Sequence, residues 1–193
     1  MQQSRHAKIC ATAWSWISST PADITNAPAN YSPIGRMIFF TRQLHAGLQP
    51  GSGWEKRAEK EWVRRERIYR NYFELINEFL PAQVKRLIDY GLHDGRVESF
   101  EGGPETFRLD VNCQNALGPF RGKIVSLEFS GVSKLFRSGD LAGSYWLYEE
   151  VHLAKGGFTL NVLFDPVDFE ICATGLVIKT SATKQTQKRS KWK

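Results

Sequence analysis

The sequence predicts an α+β fold in which an N-terminal helix pair packs on a C-terminal antiparallel β-meander of about six strands. Two observations support this prediction. Between residues 54 and 90, apolar side chains recur every three or four positions, as they do on the buried face of a helix. Beyond Gly91 the period changes to two, which is typical of strands with one buried and one wet side. A sheet with a single apolar face needs a cover, and the helices supply one.

The helical region, residues 54–90, divides at Pro81. For the first helix, 54–80, Ser52 is a plausible N-cap and Glu55 stands three residues on, as a capping box requires. Proline is tolerated at the start of the second helix, and Gly91 ends that helix in the usual C-terminal place. The expected buried positions are Ala58, Trp62, Tyr69, Phe73, Ile76 and Leu80 in the first helix, and Val84, Leu87, Ile88 and Tyr90 in the second.

The alternating segments after Gly91 define the sheet, residues 96–179. Paired glycines at 102–103 and 156–157 mark hairpin turns, and Gly175 is a candidate bulge in the last strand. The expected strands cover residues 96–100, 106–113, 125–129, 145–153, 158–164 and 169–179.

We expect one α+β domain, residues 37–178, between two extensions. Residues 1–36 are rich in Ser, Thr, Pro, Ala and Asn and show little periodicity, which favours a disordered or spurious extension with Met37 as the natural start. The alternative is a signal peptide, but its apolar segment, residues 9–17, is short and interrupted by polar residues and two tryptophans. Residues 180–193 are polar and basic, which indicates a disordered tail.

The net charge of +6 belongs to the C-terminal end of the chain. Residues 179–193 hold six basic side chains and no acidic one, whereas residues 1–178 hold twenty of each sign. Any binding of nucleic acid through this end should be weak, nonspecific and steeply dependent on salt. The candidate polyanion-binding residues are Lys184, Lys188, Arg189, Lys191 and Lys193.

Composition also bounds the compartment and the chemistry. Three cysteines without a close pair disfavour a disulfide framework or a zinc site, and they fit a reducing cytosol. No apolar run approaches the roughly 20 residues that cross a bilayer. We therefore expect a cytoplasmic protein without a membrane span, a cofactor or a metal.

A basic run in the first helix has two interpretations. Arginines at positions 64, 65, 67 and 70 lie near Trp62 and Tyr69, as on a nucleic-acid-binding surface. However, Glu61 precedes Arg65 by four residues, and Glu66 precedes Arg70 by four, an arrangement that stabilises a helix. A solvated, salt-bridged helix face is the favoured interpretation.

The segment 146–152 carries the densest chemistry. On a regular strand Trp146, Tyr148, Glu150 and His152 share the outer face, where aromatic and carboxylate side chains suit a protein-binding surface. The alternative is an ordinary solvated sheet face. If the alternation holds, Glu149 points inward and needs a partner such as an arginine.

A hydrolase built on His93, Asp94 and Glu150 is the third possibility. A histidine-aspartate pair completes the metal site of some phosphohydrolases, but four histidines in all leave the ligand count short. The pair is more simply explained as a structural turn in which the aspartate caps backbone N–H groups. We therefore expect no catalytic residues and no enzyme activity.

Several segments resemble a known bacterial family, the uncharacterised domain of unknown function 4085. The resembling segments are residues 37–44, a short start before a tryptophan-bearing charged helix, the turn 92–97, and the strands 145–151 and 158–164. The resemblance covers residues 37–178, and because the family has no established activity it implies no catalytic residue. The size and sheet-rich form are also loosely similar to immunity proteins that neutralise polymorphic toxins, which is a fold-level analogy.

Together these observations predict a non-enzymatic protein-binding module, of the immunity type if the analogy applies. Its partner is an unidentified protein, such as a toxin. The alternative is a nucleic-acid-associated protein that uses its basic tail.

Overall fold

The structure, a computed structural model, describes residues 37–103 and 105–183. The predicted N-terminal extension, residues 1–36, and all five candidate polyanion-binding residues of the tail lie outside the described residues.

In the described part of the chain, three α-helices precede the sheet: α1 (Arg42–Gly47), α2 (Glu55–Ile76) and α3 (Ala82–Tyr90). The predicted helix pair corresponds to α2 and α3, and Gly91 follows α3 with the positive φ of 61° that favours glycine. Helix α2 stops at Ile76 because the next three residues, Asn77–Phe79, tighten into a 3₁₀ turn. The short helix α1 was not predicted. Its N-cap is Thr41, whose hydroxyl accepts a hydrogen bond from the Leu44 N–H.

The start of α2 differs from the prediction. Its N-cap is Trp54, which makes no side-chain capping bond. Ser52 instead accepts a hydrogen bond from the Trp54 N–H at 3.1 Å and donates one to the Gly47 carbonyl at 2.8 Å. Glu55 accepts the Gly51 N–H at 2.6 Å. Both side chains therefore hold the α1–α2 turn together rather than forming a capping box.

Within residues 37–103 and 105–183 the sheet is antiparallel and has eight strands, in the order β4-β7-β6-β5-β1-β2-β3-β8. Two strands were missing from the prediction of about six. The four-residue β4 is too short to show alternation, and the last predicted strand divides near Thr174, where the chain leaves β6 and pairs with β3. The strands are β1 (Arg96–Gly102), β2 (Thr106–Asn112), β3 (Lys123–Ser130), β4 (Lys134–Arg137), β5 (Tyr145–Ala154), β6 (Gly157–Asp165), β7 (Asp168–Ala173) and β8 (Gly175–Ala182).

The sheet curves strongly enough to bring distant strands into contact. Phe107 on β2 and Phe169 on β7 have ring centroids 5.6 Å apart, although β6, β5 and β1 lie between their strands. Four strand spacings in a flat sheet would separate them by about 19 Å. The inner face therefore encloses the main core, and the predicted alternation of buried residues in β2 and β3 is confirmed.

The two predicted helices pack on different surfaces. Helix α3 contributes fully buried Val84 and Leu87 to the main core. The body of α2 packs through Ala58, Trp62 and Tyr69 into a second cluster, which also contains Phe40 and Leu44 and contacts Tyr148 of β5. An α+β fold with a helix pair and an antiparallel sheet is confirmed. The prediction that both helices cover the same face of the sheet is not confirmed, because most of α2 lies against the outer face of β5.

Candidate functional site

The four residues predicted to bind a partner do not share one face. Trp146 pairs with Phe164 of β6 and Tyr148 pairs with Leu163, so the register shifts by one residue between them. This bulge turns Trp146 into the main core, where it is fully buried and makes an edge contact with Phe164 at 5.2 Å. Strict alternation predicted the opposite side, because no sequence signal marked the bulge.

Tyr148, Glu150 and His152 do lie on the outer face of β5, but they are not an exposed patch. Helix α2 and residues 37–40, here called the clasp, cover them. Glu150 is 0% exposed, and Tyr148 packs against Trp62 with ring centroids 4.5 Å apart. The expected exposed surface is therefore wrong. Alternation in the sequence shows on which side of a sheet a residue lies, but not what covers that side.

Glu150 joins the clasp to the sheet. One carboxylate oxygen accepts the backbone N–H groups of Phe39 and Phe40, both at 2.6 Å, and the other accepts that of Ile38 at 2.8 Å. The second oxygen also lies 3.3 Å from Nε2 of His152. Three successive N–H groups around one anion form a backbone nest, here filled by a side chain of the same protein.

Two tyrosines of α2 complete this network. The Tyr72 hydroxyl lies 3.2 Å from Nδ1 of His152, and the Tyr69 hydroxyl accepts the Val151 N–H at 2.9 Å. Burial raises the pKa of both phenols, so both stay neutral at physiological pH. The outer-face groups of β5 are therefore engaged within the chain.

Glu149 has the partner that its position requires, although the partner is not an arginine. The indole Nε1 of Trp146 donates a hydrogen bond to Glu149 Oε2 at 2.6 Å. Burial raises the pKa of Glu149 to about 7, while the indole hydrogen bond and the nearby His93 oppose that rise.

The residues of the hydrolase hypothesis have structural contacts. Asp94 adopts a positive φ of 66° in the turn after α3, and its N–H donates to the Trp146 carbonyl at 2.9 Å. The His93 ring packs against Tyr148 with centroids 5.3 Å apart. The Glu150 carboxylate bonds to the clasp and to His152 instead. In the part of the chain that the structure describes, no three His, Cys, Asp or Glu side chains converge as metal ligands, and no helix is long and apolar enough to cross a membrane.

The basic run of α2 is salt-bridged, as predicted. Glu61 accepts hydrogen bonds from Arg64 at 2.9 Å and from Arg65 at 2.7 Å, and these two guanidinium groups lower its pKa to about 2. Glu66 pairs with Arg70 at 2.8 Å.

An open groove of about 850 Å³ lies where α1 meets the first half of α2 and is lined by residues of both helices. Trp54 stands at this α1–α2 groove with 59% of its surface exposed, and the Arg57 guanidinium lies 5.2 Å from the centre of its ring. Of the residues that the structure describes, four cations and one carboxylate line the groove. Among the described residues, Arg57 and Lys60 have no carboxylate within 4.0 Å. The lining includes Thr41, Gln43, Leu44, Gly47, Trp54, Arg57, Lys60, Glu61, Arg64 and Arg65.

Sequence reasoning did not single out this groove. Its signal was present in the exposed positions of α2, where Trp54, Arg57, Glu61 and Arg64 follow one another at steps of three and four residues. The wall supplied by α1 gave no sequence signal, because a helix of six residues is too short to show a helical period.

Comparison with known proteins agrees with the resemblance seen in the sequence. No curated protein matches this chain. A family match covers residues 49–173, from the turn before α2 to the end of β7. The clasp and β8 lie outside the matched range. Since the match spans more than half of the 193 residues, the chain belongs to the family described as protein of unknown function (DUF4085).

Proposed function

We propose that this chain is a non-enzymatic protein-binding module that holds an acidic segment of a partner protein in the α1–α2 groove. One observation carries the proposal: Trp54 is exposed at the groove beside Arg57 and Lys60, two cations with no carboxylate within 4.0 Å among the described residues. Tryptophan and arginine are the side chains that most often anchor protein interfaces. Cations without an internal partner favour an oppositely charged surface.

The groove suits a protein better than a nucleic acid. Glu61 lies in its lining and already takes two of its four cations, Arg64 and Arg65. A phosphate backbone binds where many cations are free at once, since affinity grows with each phosphate neutralised. Binding of nucleic acid through the basic tail remains the alternative prediction. Immunity to a toxin is the narrower form of the proposal, in which the acidic partner is that toxin.

The wall of the groove formed by α1 is held in place before any partner arrives. The clasp that leads into α1 is fixed by Glu150, and Arg65 donates to the Phe39 carbonyl at 3.2 Å. Arg42 of α1 forms an ion pair with Asp168 of β7 at 2.8 Å. A preformed site loses less conformational entropy on binding, which favours affinity.

Site-specific photo-crosslinking in cells of the source organism tests the proposal. The crosslinking residue replaces Gln43 in the groove or, as a control, Val63, which is 64% exposed on the opposite side of α2. The expected result is a nuclease-resistant protein adduct from position 43 but not from position 63. The adduct should disappear in the double variant R57E/K60E and persist in K56E/R67E, which makes the same charge change on the same helix outside the groove.

Three results would overturn the proposal. A nucleic-acid adduct would move the function to polyanion binding, and the same protein adduct from both positions would show that the groove has no special role. The absence of any adduct would remove the groove as a docking surface.

A further inference from the structure

An exposed apolar stripe continues the α1–α2 groove along α2. Ile68 is 40% exposed and Leu75 is 51% exposed, and Phe79 in the following 3₁₀ turn is 66% exposed. None of the three belongs to either core cluster or packs against one among the described residues. Isolated exposed apolar residues are ordinary, but Ile68 and Leu75 lie on the same face of α2 as Trp54, with the charged side chains of the groove between Trp54 and Ile68.

The stripe follows one face of α2. From the groove to the end of α2 the positions 54, 57, 61, 64, 68 and 75 follow steps of three, four, three, four and seven. Side chains at these spacings lie on the same face of a helix, so the charged groups at 57, 61 and 64 and the aliphatic groups at 68 and 75 form one elongated surface. Such a surface suits one face of a partner helix. The stripe from Trp54 to Leu75 is about 32 Å long at 1.5 Å per residue.

We infer that the partner segment is an amphipathic helix, a conclusion that rests on the proposed function. The basic half and the aliphatic half of the stripe favour different side chains in the two halves of the partner helix. Arg57 and Lys60 complement acidic side chains near one end, whereas Ile68 and Leu75 receive aliphatic side chains near the other. A segment that is acidic along its whole length would fill the groove but would leave the aliphatic half without complementary side chains.

A designed peptide supplies the probe. It has 21 residues, leucines at alternating three- and four-residue steps along one face, and glutamates beside the leucines in one half. Its control carries two central prolines in place of solvent-facing residues, which prevents a continuous helix without changing charge. Binding of each fluorescent peptide to the full chain is followed by anisotropy.

Three single substitutions by aspartate probe the stripe. Ile68→Asp and Leu75→Asp lie on it, whereas Val63→Asp lies on the opposite side of α2 and is 64% exposed in the parent. Burial of one aliphatic side chain corresponds to about a tenfold or larger change in affinity. We therefore expect I68D and L75D each to weaken binding at least tenfold, V63D to leave it within about twofold, and the proline peptide to bind at least tenfold more weakly than the helical one.

Failure of this inference and failure of the proposed function give different results. If R57E/K60E abolishes binding while I68D, L75D and the prolines have no effect, the groove binds an acidic segment as proposed, but that segment is not a helix seated on the stripe. If R57E/K60E also has no effect, the proposed function fails. Absence of binding by the helical peptide overturns the inference. So does a dimer in light scattering that I68D converts to a monomer, because a second copy would then occupy the stripe.

Discussion

The carboxylate of Glu150 accepts the backbone N–H of Phe40 at 2.6 Å across a separation of 110 residues. This contact, repeated at Ile38 and Phe39, ties the start of the described chain to the middle strand of the sheet. Because α1 follows directly, Glu150 also positions one wall of the α1–α2 groove. A side chain first considered for binding a partner thus holds the protein's own backbone.

Replacing Glu150 by glutamine should destabilise the fold. The amide keeps the size of the side chain but presents an NH₂ group to backbone donors, so at least one of the three N–H groups loses its acceptor. We expect the free energy of unfolding to fall by about 2–4 kcal/mol, measured by urea denaturation. Glu59→Gln, an exposed carboxylate on α2 with no salt bridge among the described residues, should change it by less than about 0.5 kcal/mol. Equal midpoints for the two variants would show that the clasp contributes nothing to stability.

Two tryptophans should respond in opposite ways to truncation. Trp146 is fully buried, so Trp146→Ala should cost about 3–5 kcal/mol of unfolding free energy through lost burial and a cavity. Trp54 is 59% exposed, so Trp54→Ala should change stability by less than about 0.5 kcal/mol. The thermal unfolding midpoints of both variants check this. A stable Trp146→Ala protein would restore the prediction that this residue lies on the surface.

The ionisation of Glu149 should lower the free energy of unfolding as pH rises. Its pKa is about 7 in the folded protein, which lies above that of an exposed glutamate. Between about pH 4.5 and pH 7 the folded state therefore binds more protons than the unfolded state, and the unfolding free energy decreases with pH. Glu149→Gln keeps an acceptor for Trp146 and removes this decrease. The variant should be more stable than the parent by about 3 kcal/mol at pH 8, a difference that narrows towards pH 5 in urea titrations. If the difference in unfolding free energy between the two proteins does not change with pH, the ionisation of Glu149 is not its cause.

Cys113 should resist thiol reagents until the protein unfolds. Its side chain is fully buried, and burial raises the pKa of the thiol to about 12. At pH 8 only about one thiol in ten thousand is then ionised. Labelling with iodoacetamide followed by peptide mass spectrometry should find position 113 unmodified in the native protein and modified in 6 M guanidinium. Rapid native labelling at this position would contradict the burial of β2's end.

The sequence predicted most of what depends on periodicity. Residue spacing alone predicted the buried face of α2, the end of helix α3 at Gly91, and the alternation in β2 and β3. The structure confirms these features. Two strands were missed by the prediction for a different reason. A four-residue strand carries too little pattern, and the change of partner near Thr174 is set by long-range pairing.

The candidate site was harder to predict because it depends on tertiary cover. The pattern placed Glu150 and His152 correctly on the outer side of β5, but the clasp that buries Glu150 comes from more than 100 positions earlier in the chain. Trp146 was misplaced by a single extra residue, since one bulge reverses the side on which every preceding residue of a strand lies. The charge pairs of α2 were predictable because their partners lie within four residues.

Hydroxyl-radical footprinting of the full chain with and without the helical acidic peptide tests the central claim most directly, since it reads the accessibility of individual side chains. The account predicts protection of Trp54, Ile68 and Leu75 on binding. The exposed sheet residues Tyr145, Leu153 and Val177, which are 42–50% accessible in the free protein, should keep their oxidation rates. Protection of the sheet residues with Trp54 and Leu75 unchanged would place the docking surface on the sheet and contradict the account.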